Sequence, residues 1–143
     1  MIIKLMPEQV SKLWDYIRFG VLSSVSPITN TSPEGIRNIL KNLLLGTIQC
    51  WAIIEEDKMK GFALTTISGD YVSGEIFLNI YDLYAFEQFS QETWESGVTA
   101  LEEFAKANMC SKVIAYSDIP QVIGIAEKLG FNSRTVLLIK EIK

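Results

Sequence analysis

No histidine occurs in these 143 residues. That removes the Ser-His-Asp and Cys-His nucleophile systems and nearly all catalytic zinc sites, which need imidazole as base or ligand. Cysteine is scarce. Cys50 and Cys110 each sit beside apolar runs with no paired spacing, and read as two reduced, half-buried thiols of a cytoplasmic protein. Positive charge is short as well: 13 Lys and Arg stand against 17 Asp and Glu, a net charge of −4. A nucleic-acid surface needs a clustered field of the opposite sign. The densest basic stretch, Lys58-Met59-Lys60, reads as a local turn between two strands. No apolar run approaches the roughly 20 residues that span a bilayer. The stretch MIIKLMPEQV lacks the basic region and long apolar run of a signal peptide.

What remains is ordinary and sufficient. Hydrophobic residues make up 48% of the chain and charged ones 21%, which fits one soluble globular domain over residues 1–143 with a substantial core. Ile2–Met6 reads as a strand stopped by Pro7, which suits the first turn of a helix with Glu8 at its positive end. Val10, Leu13, Trp14, Ile17 and Val21 then recur at helical spacing. Ser23–Thr31 has no periodicity and reads as a loop. Ser32 caps a second helix, Pro33 opens it, Ile36, Ile39, Leu40, Leu43 and Leu44 form its stripe, and Gly46 ends it.

Three strands follow: Gln49–Glu55, Gly61–Ser68 and Glu75–Tyr84, joined by short polar links that favour antiparallel pairing. After Ser90 a long helix runs to about Asn108, burying Trp94, Val98, Leu101 and Ala105. Lys112–Ser117 is a short strand. Asp118 and Gln121 have the spacing of a capping box. The helix they open buries Val122, Ile125, Ala126 and Leu129 and stops at Gly130. A final strand is expected over Arg134–Ile142.

This order, and three local stretches, resemble the GNAT family of acyl-CoA-dependent N-acetyltransferases. Leu101–Cys110, LEEFAKANMC, is similar to the family's third helix, which commonly ends in an Ala-Lys run before Gly-Cys. Val113-Ile114-Ala115-Tyr116 fits the strand after it, and Ala126–Phe131, AEKLGF, is similar to the family's "YEKLGF" ending. The likeness in element order spans nearly the whole chain, and the likeness in sequence about a third. It implies an α/β (α+β) GNAT-like acyl-CoA N-acyltransferase fold: a central mixed sheet with antiparallel N-terminal strands and helices on both faces.

The resemblance also says where the chemistry would sit. In the family, acyl-CoA lies where the fourth strand splays from the fifth, its pyrophosphate on backbone N–H groups at the start of the third helix. Glycines of a Gln/Arg-x-x-Gly-x-Gly/Ala motif let the backbone approach the phosphate. The matching stretch here is Phe89-Ser90-Gln91-Glu92-Thr93-Trp94 and its flanks. Counting from Gln91 places Trp94 and Ser96 at the glycine positions; counting back from Leu101 places Glu92 and Trp94 there. Neither register recovers the motif. Glu87, Glu92 and Glu95 would repel a diphosphate by about 1–4 kcal/mol per close pair. The family's frequent general-acid Tyr is replaced by Ala126. Glu75 and Asp82 are the candidate bases on or beside the fourth strand, and Tyr81, Tyr84 and Tyr116 are candidate proton donors.

Two functions follow. One is a GNAT-fold protein that has lost acetyl-CoA binding and acts by binding a protein. Similar degenerate members are encoded in tailed-phage genomes near virion-structure genes, which implies a location in host cytoplasm or virion. Its contact surface would be the old cleft, or a face carrying Trp51 or Trp94. The alternative is an active acyl-CoA-dependent N-acetyltransferase with a divergent pyrophosphate loop. No cofactor is expected under the first and acetyl-CoA under the second; neither calls for metal, nucleic acid or membrane.

Overall fold

In a computed structural model, the structure describes residues 1–24 and 32–143, so most of the loop expected over Ser23–Thr31 lies outside the described residues. The elements in chain order are β1 (Ile2–Lys4), α1 (Pro7–Ser23), α2 (Pro33–Leu45), β2 (Ile48–Glu55), β3 (Lys58–Gly69), β4 (Ile76–Ala85), α3 (Gln91–Ala107), β5 (Lys112–Ala115) and α4 (Pro120–Lys128). Local chemistry sets most of these ends. Pro7 and Pro33 open their helices, where the missing N–H is harmless. The Ser32 hydroxyl accepts from Gly35 N–H at 3.0 Å, and Gly46 closes α2 in the left-handed region at φ +82°.

Five strands form one mixed sheet in the order β1-β2-β3-β4-β5. The first four pair antiparallel, and β5 joins β4 in parallel by way of α3. Glu56 (φ +52°) and Asp57 (φ +61°) make the two-residue turn between β2 and β3. Lys58–Lys60, read from sequence as turn, is instead the first part of β3, because that tight turn needs only two residues.

Helices cover both faces. On one, Val10, Ile17 and Val21 of α1 and Ile36, Ile39 and Leu43 of α2 pack with Cys50, Phe62 and Leu64. On the other, Leu101 and Ala105 of α3 pack with Trp51, Ala63 and Leu78. Each Val, Leu, Ile and Phe among these, fully buried, contributes roughly 1.5–3 kcal/mol. Cys50 is fully buried rather than half-buried, and burial pushes its thiol up to about 12.

Trp51 is not the exposed contact residue expected from sequence. It is 6% exposed, with its ring edge-on to Phe104 at 5.1 Å. Its Nε1–H donates to Thr65 Oγ1 at 2.9 Å, and the Thr65 hydroxyl donates to Gln49 Oε1 at 2.9 Å. Thr65→Val keeps the volume but strands both an indole N–H and an amide oxygen in the interior. Its expected destabilisation is about 3 kcal/mol in urea unfolding, against a smaller loss for Thr65→Ser, which keeps the hydroxyl.

Two further expectations fail at the C-terminal end. Asp118 and Gln121 make no capping box. The cap position of α4 falls on Ile119 and Pro120 takes the first helical position, so the Asp118–Gln121 spacing is one residue out of register. Ser117 Oγ accepts from Ile119 N–H at 3.2 Å instead. The strand expected over Arg134–Ile142 is absent too. Residues 132–143 are exposed and join no ladder, because a strand needs a partner edge and this stretch lies along none. None of the residues of α4 is fully buried; Val122, Ile125, Ala126 and Leu129 are half-buried.

Candidate functional site

The start of α3 is capped as its sequence suggests: Ser90 Oγ accepts from Thr93 N–H at 3.2 Å. A residue from elsewhere completes it. Glu55, the last residue of β2, turns its carboxylate onto the same helix start. Its Oε1 accepts from Ser90 N–H at 3.0 Å, from the Ser90 hydroxyl at 2.9 Å and from the Thr93 hydroxyl. These donors, Thr93 first, hold the Glu55 carboxyl down to about 2. A helix N-terminus favours an anion, and here the chain supplies its own.

The surroundings are acidic. A cavity of about 470 Å³ opens over this point, with Glu55, Glu56, Asp57 and Glu92 on its walls beside Ser90 and Thr93. Among the described residues that line it, the amino group of Met1, donating to Ile54 O at 2.9 Å, is the one cation, and Lys60 acts on Glu55 from outside the cavity. Glu87, expected to add to the repulsion, is instead paired with Lys60, which lowers its carboxyl and raises the ammonium. Gln91 donates to Glu95 Oε1 at 3.1 Å. Phe89 is buried, and Trp94 lies half-buried with its ring 5.2 Å from that of Phe89, edge to face. The two rings anchor the β4–α3 connection.

A second constellation lies on β4. Its register with β3 shifts between Leu64 and Thr65, so that Tyr81 is the extra residue of a bulge. The pairing with β5 ends at the Ile80–Ala115 position, where β5 itself ends, and β4 runs on to Ala85 paired with β3. The β4–β5 ladder therefore stops one residue before the bulge. Asp82 sits there, with burial pushing its carboxyl above the usual range against the Ser24 hydroxyl and Leu83 N–H that favour its charged form. Tyr81 and Tyr116 each follow the last pair of that ladder by one residue and are about half exposed. Tyr84 turns inward, packing edge-on against Phe86 and Phe19. Asn79 Oδ1 is the buried side-chain atom left without a hydrogen-bond partner among the described residues.

Glu75 is not part of this group. It precedes β4 at the far end, seven residues and about 23 Å along the strand from Asp82. It accepts from Lys112 at 3.2 Å and from Ser111 at 3.1 Å, which lowers its carboxyl.

No family model matches the chain, and no curated protein matches it in sequence. Solved structures do match in shape. An aminoglycoside acetyltransferase from an uncultured soil metagenomic sample, in complex with sisomicin, superposes with a TM-score of 0.73 at 17% identity, covering 100% of this chain and 96% of that one. An acetyltransferase of Trypanosoma brucei gives 0.68 at 18% identity, covering 99% of each chain. Glucosamine-6-phosphate N-acetyltransferase from Arabidopsis thaliana gives 0.67 at 17%, covering 100% and 98%.

The fold is that of the GNAT acetyltransferases. In that frame, the start of α3 is where the family resemblance places the pyrophosphate of acyl-CoA. The residues present do not fit that group. Three donors at the helix start, the Ser90 N–H and the Ser90 and Thr93 hydroxyls, are turned onto Glu55, and the walls carry four carboxylates. Sequence reasoning on Phe89–Trp94 found the missing glycines but missed Glu55, which lies 35 residues before Ser90. The one available signal was a Glu ending a strand just before a tight Glu-Asp turn.

Among the described residues, no helix is long and apolar enough to cross a membrane, and no group of three or more His, Cys, Asp and Glu is arranged to hold a metal ion.

Proposed function

We propose that this GNAT-fold chain has given up acyl-CoA binding and serves as a non-catalytic, protein-binding component. The observation that carries the reading is the Glu55 carboxylate seated on the start of α3. A diphosphate would have to displace it from three donors and then sit among Glu56, Asp57 and Glu92. Exposed apolar groups support a protein partner. Tyr71 and Val72, at the tip of the β3–β4 connection, are 105% and 97% exposed, and Tyr16, Phe19 and Leu22 of α1 each expose half or more of their surface. The resemblance to tailed-phage members makes a virion protein the first partner to try.

A second reading, an active acyl-CoA-dependent N-acetyltransferase with a divergent pyrophosphate loop, rests on Asp82. A carboxylate whose charged form is disfavoured by burial, two residues past the end of the β4–β5 pairing, is suited to take a proton.

Calorimetric titration with CoA and acetyl-CoA separates the two. The expected result is no heat at millimolar ligand, a Kd weaker than about 1 mM. Micromolar binding overturns the non-catalytic reading and puts Asp82→Asn first among the variants to assay.

A further inference from the structure

Among the described residues before Asn132, the three most exposed large apolar side chains lie at one end of the sheet, away from the start of α3. They are Tyr71, Val72 and Met109. Tyr71 and Val72 stand beyond the last β3–β4 pair, Gly69–Ile76. Polar groups make the turn that carries them. Asp70 accepts from the Ser73 N–H at 2.8 Å and from the Ser73 hydroxyl at 2.7 Å. The Gly74 N–H donates to the Asp70 carbonyl at 2.8 Å, and Gly74 takes φ +75°. The turn is fixed from within, and its two apolar side chains are left in water.

Met109 reaches the same end from α3. Its side chain is 85% exposed and its backbone has φ +61°, a conformation that favours glycine. Glycine would end this helix without strain and without an apolar side chain in water, so folding alone does not call for methionine. Glu75 ties the two connections together. It accepts from the Ser111 hydroxyl at 3.1 Å and from Lys112 at 3.2 Å, and the Ser111 N–H donates to Ile76 O at 2.8 Å. Ile67, 40% exposed, pairs with Leu78 of the core under α3 and so lies on the α3 side of the sheet. This end of the sheet is a rigid finger, Tyr71-Val72, beside an apolar shelf of Met109 and Ile67.

We propose that this end is a two-fold contact between copies of this chain, the finger of each laid on the shelf of the other. A two-fold axis uses finger and shelf on both copies and leaves neither open for further growth. Charge favours a second copy. The chain carries −4 overall, yet at this end Asp70 and Glu75 stand with Lys106 and Lys112, so two copies meet here without net repulsion. The four apolar side chains expose on the order of 600 Å² per copy, and two copies together bury about 1,200 Å², the lower end of the range for a specific interface. A weak, reversible dimer is the consequence. It is independent of whether CoA binds, and it leaves Tyr16, Phe19 and Leu22 of α1 for a different protein.

The test compares the full chain with Tyr71→Asp/Val72→Asp by sedimentation equilibrium from about 1 μM to about 200 μM, the range in which a micromolar Kd shows itself. Both side chains are in water, so the substitutions spare the fold, and circular dichroism checks this. The expected result is two-fold association of the full chain and none of the variant. Met109→Gly should raise the dimer Kd about tenfold or more. The same variant should raise the urea midpoint at about 1 μM, where the chain is monomeric, because glycine relieves the left-handed backbone. Leu45→Ser, at an exposed apolar residue ending α2, is the control and should associate as wild type does. Four outcomes overturn the proposal. A full chain monomeric at about 200 μM leaves the surface to a foreign partner. Association that survives Tyr71→Asp/Val72→Asp places the contact elsewhere. Equal loss in Leu45→Ser makes it non-specific, and a Met109→Gly chain that associates as tightly as wild type has no shelf.

Discussion

Gly61→Ala is expected to come close to unfolding the protein, with a loss of about 3 kcal/mol or more in chemical denaturation. A Cβ at this position would lie 2.3 Å from the Tyr84 carbonyl oxygen and 2.6 Å from Cζ of Phe89. The first neighbour is backbone in β4, paired through Gly61–Ala85 and Phe62–Tyr84, so it cannot step aside without opening the ladder. The second is a buried ring. Phe86 and Glu87 N–H both donate to the Lys60 carbonyl, one residue before the glycine, so a shift of β3 here carries the β4–α3 connection with it. Gly20 is the informative contrast. Its Cβ would meet side-chain rather than backbone atoms, Phe62 Cε1 at 2.3 Å and Cζ at 2.5 Å, but that ring is fully buried, so Gly20→Ala should also destabilise strongly and be the milder only because no strand ladder has to open.

Gly61 also shows where the sequence runs out. A glycine inside a strand pattern signals a close approach of something, but not of what. Features resting on neighbouring residues were legible. The Ser32 cap with Pro33 and Gly46, the Ser90 cap, and the three antiparallel strands all come from short-range chemistry. The Asp118–Gln121 pair failed at the same scale, because Pro120 can open a helix unaided and moved the cap by one residue. Trp51 misled for a different reason. An indole beside a strand is equally at home on a surface, and only its pairing across β2 and β3 sends its N–H to Thr65 in the core. Arg134–Ile142 has the composition of a strand, but composition does not lay it along either open edge of the sheet, β1 or β5. Within the site, Asp82 was visible as a carboxylate on β4, whereas its place two residues past the end of the β4–β5 pairing depends on the strand registers.

Glu55→Gln is expected to loosen the start of α3 in a way that depends on pH, and the sign is fixed by the direction in which Glu55 titrates. The folded carboxyl is held at about 2, below its ordinary value, so its charged form is the one that stabilises the fold. That contribution is complete above the pKa of the unfolded chain, roughly 4.3, and is lost as pH falls toward about 2. Wild type should therefore melt above the variant at neutral pH. The gap should narrow through the acid limb and close once Glu55 is protonated, since a neutral carboxyl and an amide offer Ser90 and Thr93 much the same acceptor. A gap that stays constant with pH would mean that the carboxylate charge contributes nothing at the helix start. The same variant bears on function. Removing one charge leaves Glu56, Asp57 and Glu92 around the cavity, so Glu55→Gln should still give no heat with CoA. Micromolar CoA binding by the variant alone would identify Glu55 as a plug over an otherwise intact cleft, and would turn the loss of chemistry into the work of a single residue.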